Sequence, residues 1–160
     1  MKRKPVENEL SHPADGEAWK YFDRKYEWFA KYARNIRLGL ATDGFNPFGK
    51  MNASYSMWPV FVVPYNFPPW VCVEQYNLMM GLLIPGPECP GKDMDVFLEP
   101  LVEELLALWT GIQTFDAFSG KSFDLHTVLI WCIHDYPTLS TLLGRVTKGY
   151  YASVWQKSLL

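Results

Sequence analysis

The chain has 160 residues, of which 49% are hydrophobic and 16% aromatic, a composition that excludes a disordered protein and predicts one packed domain. Its net charge of −2 argues against a stand-alone protein that coats nucleic acid, although residues 1–50 hold ten Lys and Arg against seven Asp and Glu, a net of +3. The longest apolar runs, such as 128–133, are far shorter than the roughly 20 residues of a membrane span, and the first residues are polar, so we expect neither a transmembrane segment nor secretion.

The amino-terminal part predicts a polar lead-in over residues 1–18, which overlaps the start of a helix over Glu17–Ala33. Apolar side chains recur in this helix at steps of three and four residues, the pattern of a helix with one buried face. Because the spacing follows helical burial, we interpret this aromatic face as core rather than as a base-stacking surface. Its members are Trp19, Phe22, Tyr26, Phe29 and Ala30.

Three strands are predicted next, at Ile36–Thr42, Met57–Pro64 and Asn77–Ile84. Each is a nearly continuous apolar run that ends at a cluster of Pro, Gly or Asn. Such runs are typical of strands covered on both faces, so we expect all three to be buried.

The second half begins with a predicted helix over Asp95–Trp109, ended by Gly111, with Pro100 at its first position or kinking its first turn. A short hairpin is predicted from Ile112–Asp116 and Ser122–Leu125, with its turn at Ser119-Gly120. The run Thr127–Ile133 then reads as another buried strand or extended segment. The apolar stripe expected on the helix consists of Phe97, Leu101, Leu105 and Leu108.

The element order predicts the fold class. A helix, three consecutive strands, a crossover helix and a returning strand make up an α/β fold that corresponds to part of a ribonuclease-H-like domain. The crossover is expected to bring the last strand beside the first. That arrangement places Asp43, which follows the first strand, near Asp135, which follows the last.

Two interpretations of Asp43 and Asp135 stay open at this point. As a pair, they match a two-metal phosphoryl-transfer site, because hard divalent cations such as Mg²⁺ take carboxylate oxygens and stabilise the attacking and leaving oxygens at phosphorus. Alternatively, Asp43 forms a turn before Gly44, and Asp135 forms a turn before Tyr136-Pro137.

The remaining candidate motifs favour structural roles. The segment 86–92 fits the spacing of a phosphate-binding loop, but two prolines remove amide donors from it, so we expect no nucleotide cofactor. The spacing of His126, Cys132 and His134 does not converge on one metal ion. The three cysteines (Cys72, Cys89 and Cys132) lack zinc-site spacing and are expected to be reduced, mostly buried thiols.

Six segments in order resemble those of plant CACTA-type (En/Spm-like) DNA transposases of the tnp2 group, and the resemblance runs from about Pro13 to Ala152. One such segment is weak evidence, whereas six in the expected order are highly specific. They are Trp19-x-x-Phe22-Asp23; Arg34 to Gly49; Trp58-Pro59-Val60 with Val63-Pro64-Tyr65-Asn66; Leu83-Ile84-Pro85-Gly86-Pro87; Pro90 to Val96; and Asp135-Tyr136-Pro137 with Thr147-Lys148-Gly149.

This resemblance implies a function and a location. Family members are thought to use a DDE/D site on a ribonuclease-H-like fold, and Asp43 matches the first catalytic acid and Asp135 the second. Each would ligate Mg²⁺ or Mn²⁺ for cleavage and strand transfer at the terminal repeats of transposon DNA. The resemblance also implies a nuclear protein that does not associate with a membrane and that could oligomerise with a full-length transposase.

The resemblance has departures near the end of the sequence. Ser153 and Gln156 stand where the family has a Cys-rich stretch, and no third acid follows. We therefore expect a truncated or degenerate copy, with the partial domain over 19–150 and a divergent tail over 151–160, that is inactive alone. The competing interpretation is a non-catalytic DNA- or protein-binding module derived from a transposase.

Overall fold

The computed structural model describes residues 11–49, 55–135 and Thr138. The described part of the chain forms β1 (Ile36–Thr42), β2 (Trp58–Pro64), β3 (Met79–Ile84), β4 (Ile112–Asp116), β5 (Lys121–Leu125) and β6 (Thr127–Ile133). Its helices are α1 (Glu17–Lys25), α2 (Glu27–Ala30), α3 (Pro69–Cys72) and α4 (Met94–Thr110), with 3₁₀ turns at Pro13–Asp15 and Gly91–Asp93. None of the helices in these residues is long and apolar enough to cross a membrane.

Four strands form one sheet in the order β3-β2-β1-β6. Parallel and antiparallel pairs are mixed in this sheet, and the α/β fold is consistent with part of a ribonuclease-H-like domain, as predicted. The returning strand β6 lies beside β1, which confirms the expected placement of the last strand. The bounds of β1 and β6 are those predicted, whereas β2 and β3 begin slightly later than expected.

The predicted hairpin is confirmed. Strands β4 and β5 pair in antiparallel fashion, with Ile112 opposite Leu125 and Asp116 opposite Lys121. Gly120 has a φ of 66° at the turn, a left-handed conformation that glycine adopts without the steric cost of a Cβ atom.

The single helix predicted over Glu17–Ala33 is wrong, because the chain breaks into α1 and α2 at Tyr26, where φ is −120° and ψ is 63°. The Tyr26 ring packs against Phe22 and Trp109, with centroids 4.8 and 5.4 Å away. These contacts keep the Tyr26 ring packed against its aromatic neighbours Phe22 and Trp109, although the backbone at Tyr26 is not helical. The prediction that the aromatic face is core is confirmed, since Phe29 is fully buried and Trp19, Phe22 and Tyr26 are partly buried.

The predicted stripe of α4 is confirmed in part, since Leu101, Leu105 and Leu108 are partly buried. Met94 and Leu98 pack into the core at the start of the helix, whereas Phe97 is exposed. Pro100 lies inside α4 rather than at its first position. Gly111, with a φ of 106°, follows the end of the helix as predicted.

Two burial predictions are wrong. Strand β3 is largely exposed, with Met79, Met80 and Leu83 among its exposed side chains. It is an edge strand of the sheet, and an apolar run alone does not show whether a strand lies in the middle or at the edge. The cysteines are free as expected, but only Cys72 is buried, while Cys89 and Cys132 are exposed.

The chain divides into two compact units. The first comprises residues up to 40 together with 62–79 and 103–132, and the second comprises 41–61, 80–102 and residues from 133 on. The domain bounds predicted from the sequence (1–18, 19–150 and 151–160) stay a prediction, since residues 1–10 and 139–160 lie outside the described residues.

The first unit has an apolar core and a buried polar centre. Its core cluster consists of Val63, Tyr65 and Cys72, with Trp19, Leu78 and Trp131 packed against it. Two polar side chains of the segment 34–37, Asn35 and Arg37, are buried beside this core. Arg37 forms an ion pair with Asp23, which offsets part of the free-energy cost of burying its charge.

The second unit is built around Trp58, Ile84 and Met94, which form a buried cluster with Leu82 and Leu98 against it. This core packs the start of β2, the end of β3 and the start of α4 together. It therefore supports the segment of β2 next to which the candidate site lies.

Candidate functional site

The end of β1 is anchored in the second unit. Thr42, the last residue of the strand, is buried, and its hydroxyl donates a hydrogen bond of 2.9 Å to the carbonyl of Pro59 in β2. Asp43 follows directly and is exposed. The carboxylate therefore starts from a fixed backbone and remains open to solvent.

The turn after Asp43 is packed closely against β2. A Cβ atom on Gly44 would lie 2.6 Å from the Trp58 ring, closer than real Cβ contacts. One residue further on, Phe45 pairs with Met57, each N–H donating to the carbonyl of the other at 2.9 Å. The chain on both sides of Asp43 is thus held against the start of β2.

Gly44→Ala is expected to lower the free energy of unfolding by about 1–3 kcal/mol, the usual cost of overpacking a filled space. Urea denaturation measures this loss. Because the clash is with the indole ring of Trp58, the losses of Gly44→Ala and Trp58→Phe should be less than additive in the double variant. Additive losses would contradict the close approach of Gly44 to the Trp58 ring.

Asp135 lies two residues beyond Ile133, the last residue of β6, and its side chain is engaged locally. Its Oδ1 accepts a hydrogen bond of 2.8 Å from the backbone N–H of Thr138. That N–H lowers the pKa of Asp135 below its ordinary value. A donor at this position favours the ionised carboxylate, the form that can bind a metal.

Thr138 links the two acids. Its hydroxyl donates a hydrogen bond of 3.1 Å to Oδ1 of Asp43, a residue 95 positions away in the chain. The side chain of Thr138 is buried, with 2% of its surface exposed. One threonine therefore contacts both predicted site residues.

Asp43 and Asp135 also line one cavity of about 350 Å³, which is formed within the second unit. The other lining residues are Ala41, Thr42, Phe45, Pro59, Phe61, Ile133 and His134. Aliphatic and aromatic side chains dominate this lining, so the negative charge of the cavity comes from the two carboxylates.

The turn-forming alternative for Asp135 is compatible with this geometry. Its bond to the N–H three residues later is the local contact expected of an aspartate that caps a turn or helix. The bond between Thr138 and Asp43 is not local and has no counterpart in that interpretation. Thr138 was not predicted as a site residue, because the Asp-x-x-Thr spacing reveals only the local half of its contacts.

The donor set fits a hard divalent cation in kind. Two carboxylates supply oxygen ligands, and Mg²⁺ is commonly held by one or two carboxylates together with waters and substrate phosphates. Within residues 11–49, 55–135 and Thr138, however, no group of three His, Cys, Asp or Glu side chains is placed to hold a metal. The pair is therefore an incomplete ligand set in the described part of the chain.

The histidines and the neighbouring cysteine do not form a second site. His126 lies in the first unit, where its Nδ1 is 3.0 Å from the carbonyl of Trp109. Cys132 is exposed, and His134 lines the cavity of the acids.

The sheet order and the surrounding helices make this an α/β protein whose fold is consistent with part of a ribonuclease-H-like domain. The chain belongs to the transposase family tnp2, whose family model matches residues 7–158. Comparisons with curated proteins and with solved structures gave no match. The resemblance to transposases is thereby confirmed at the level of the family.

Proposed function

We propose that this chain carries the first two metal-binding acids, Asp43 and Asp135, of a DDE/D-type DNA transposase of the plant CACTA (En/Spm-like) group. The observation that carries the proposal is the pair of hydrogen bonds by which Thr138 joins the two carboxylates. Membership of the tnp2 family supports a transposase origin. The terminal repeats of transposon DNA are the proposed substrate, and the nucleus is the proposed location.

Asp43 and Asp135 would hold Mg²⁺ or Mn²⁺ in this proposal. When bound, such ions activate a nucleophile and neutralise the charge that develops at phosphorus. The chain contributes two carboxylates on anchored strand ends, and the open cavity leaves them accessible to a DNA backbone. Thr42 and Thr138 limit how far the two carboxylates can move.

We further propose that the chain is inactive alone. Acceleration of phosphoryl transfer depends on preorganised charge, and two carboxylates leave several ligand positions of a divalent ion to water. A third protein donor, supplied for example by a full-length transposase in an oligomer, would complete the ligand set.

Metal binding tests the site directly. Titration of the intact chain with Mn²⁺, followed by electron paramagnetic resonance, should show weak binding that Asp43→Asn and Asp135→Asn each weaken by about tenfold or more, since each removes one of two charged ligands. Asp124→Asn, which changes an exposed carboxylate in the first unit, is the matched control and should leave binding unchanged. Equal affinity in all four proteins would overturn the proposed site.

A nicking assay on terminal-repeat DNA with Mg²⁺ or Mn²⁺ tests the proposed inactivity. The isolated chain should give no cleavage above the level of Asp43→Ala. Robust cleavage by the wild-type chain that is lost in Asp43→Ala would contradict the proposed inactivity. A different result would favour the non-catalytic binding module instead. In that case the chain binds DNA in a gel-shift assay, Asp43→Ala and Asp135→Ala leave this DNA binding unchanged, and no metal binds.

A further inference from the structure

We propose that Thr138 is a positioning residue of the candidate site, which holds the carboxylates of Asp43 and Asp135 in a fixed relation before a metal binds. The inference rests on the proposed function, because it assigns a role within the same site. It adds a residue that no motif singled out and states what its hydroxyl does.

The contacts of Thr138 separate a local role from a long-range one. The backbone N–H donates to Asp135 at 2.8 Å, and any residue other than proline could supply that bond. The hydroxyl donates to Asp43 at 3.1 Å, and this bond requires a side-chain donor of this length. A turn or helix start at Asp135 needs only the first bond. The second connects the ends of β1 and β6.

Charge and burial explain why this bond matters. Two ionised carboxylates near each other repel, and each accepts hydrogen bonds but cannot donate one to the other. Thr138 supplies one donor to each carboxylate, its N–H to Asp135 and its hydroxyl to Asp43, which offsets part of this repulsion and restricts the rotamers of both acids. Since Thr138 is only 2% exposed, water has little access to replace its hydroxyl.

Hydrogen bonds to metal-binding side chains commonly affect metal affinity by about 10–100-fold. Thr138→Val keeps the branched shape but removes the donor, so it should weaken Mn²⁺ binding by about tenfold or more. Thr138→Ser keeps the hydroxyl and should restore most of the affinity. A residue with only a packing role would show the opposite order, because valine preserves the packed volume better than serine.

The test measures Mn²⁺ affinity by electron paramagnetic resonance on the intact wild-type chain, Thr138→Val, Thr138→Ser, Asp43→Asn and Asp135→Asn. Circular dichroism in EDTA first establishes that each variant is folded at the temperature used. If Thr138→Val does not fold, Thr138→Ala removes the hydroxyl with less steric demand and takes its place.

Weakened binding in Thr138→Val with recovery in Thr138→Ser supports the proposal. Wild-type affinity in Thr138→Val, or loss of affinity in Thr138→Ser comparable to that in Thr138→Val, overturns the role of Thr138. In either case, reduced affinity in Asp43→Asn and Asp135→Asn leaves the proposed metal site intact. Unchanged affinity in both aspartate variants overturns the proposed function and the role of Thr138 together.

Discussion

Arg37→Ala should lower the free energy of unfolding by about 3 kcal/mol, near the lower limit for breaking a buried ion pair. The Arg37 side chain is 6% exposed, and its partner Asp23 is 33% exposed. The guanidinium carbon also lies 4.6 Å from the Trp19 ring centroid and 5.0 Å from that of Phe29. Alanine at this position removes the charge partner of Asp23 and leaves a space between two aromatic rings.

Arg34 provides the matched control, because it forms an ion pair of the same length with Asp116 in the same unit. The Arg34 side chain is 51% exposed and that of Asp116 15% exposed, so water can solvate the guanidinium and Arg34→Ala should cost less than Arg37→Ala. Urea denaturation of the two variants measures both values. Equal losses would contradict the view that burial, rather than the ion pair itself, makes Arg37 important.

Asn35→Ala should lower the free energy of unfolding by about 1–3 kcal/mol, since it leaves the backbone N–H of His126 without its partner and removes one of the donors to the carbonyl of Phe29. Asn35 is 1% exposed. Its Nδ2 donates to the carbonyl of Phe29 at 2.9 Å, and its Oδ1 accepts from the N–H of His126 at 3.2 Å. The side chain therefore joins the end of α2 to the start of β6 through buried polar groups.

Asn66→Ala is the control for Asn35, because Asn66 also makes two side-chain bonds to the backbone. Its Oδ1 accepts from the N–H of Arg37, and its Nδ2 donates to the carbonyl of Asn35, both at 2.8 Å. Asn66 itself is exposed, although the backbone groups that it bonds belong to buried residues, so the loss should be smaller than for Asn35→Ala, about 1 kcal/mol. A larger loss for Asn66→Ala than for Asn35→Ala in urea denaturation would contradict this account.

Strands β1 and β6 were predictable because each is an apolar run ended by turn-forming residues, and that signal is local. Their order in the sheet followed from the crossover helix. The break at Tyr26 was not predictable, since the aromatic spacing continues across it from Phe22 to Phe29. The periodicity reports which side of the chain is buried and does not report a local change of backbone angle.

The sequence also did not predict which polar residues are buried and which apolar residues are exposed. Asn35 and Arg37 are buried because partners from distant segments satisfy them, and no local pattern reveals those partners. The exposure of β3 depends on its position at the sheet edge. For the site, the sequence predicted Asp43 and Asp135, whereas Thr138 was missed because its decisive bond spans 95 residues.

In the function that we propose, Asp43 and Asp135 together bind a divalent metal. Fe²⁺ with ascorbate and peroxide tests it in solution, since Fe²⁺ binds oxygen ligands and generates radicals that cut the nearby backbone. We expect cuts near residues 43 and 135, both suppressed by excess Mg²⁺ and both absent in Asp43→Asn. Cuts at only one of these positions, or cuts that persist in Asp43→Asn, would contradict a shared site.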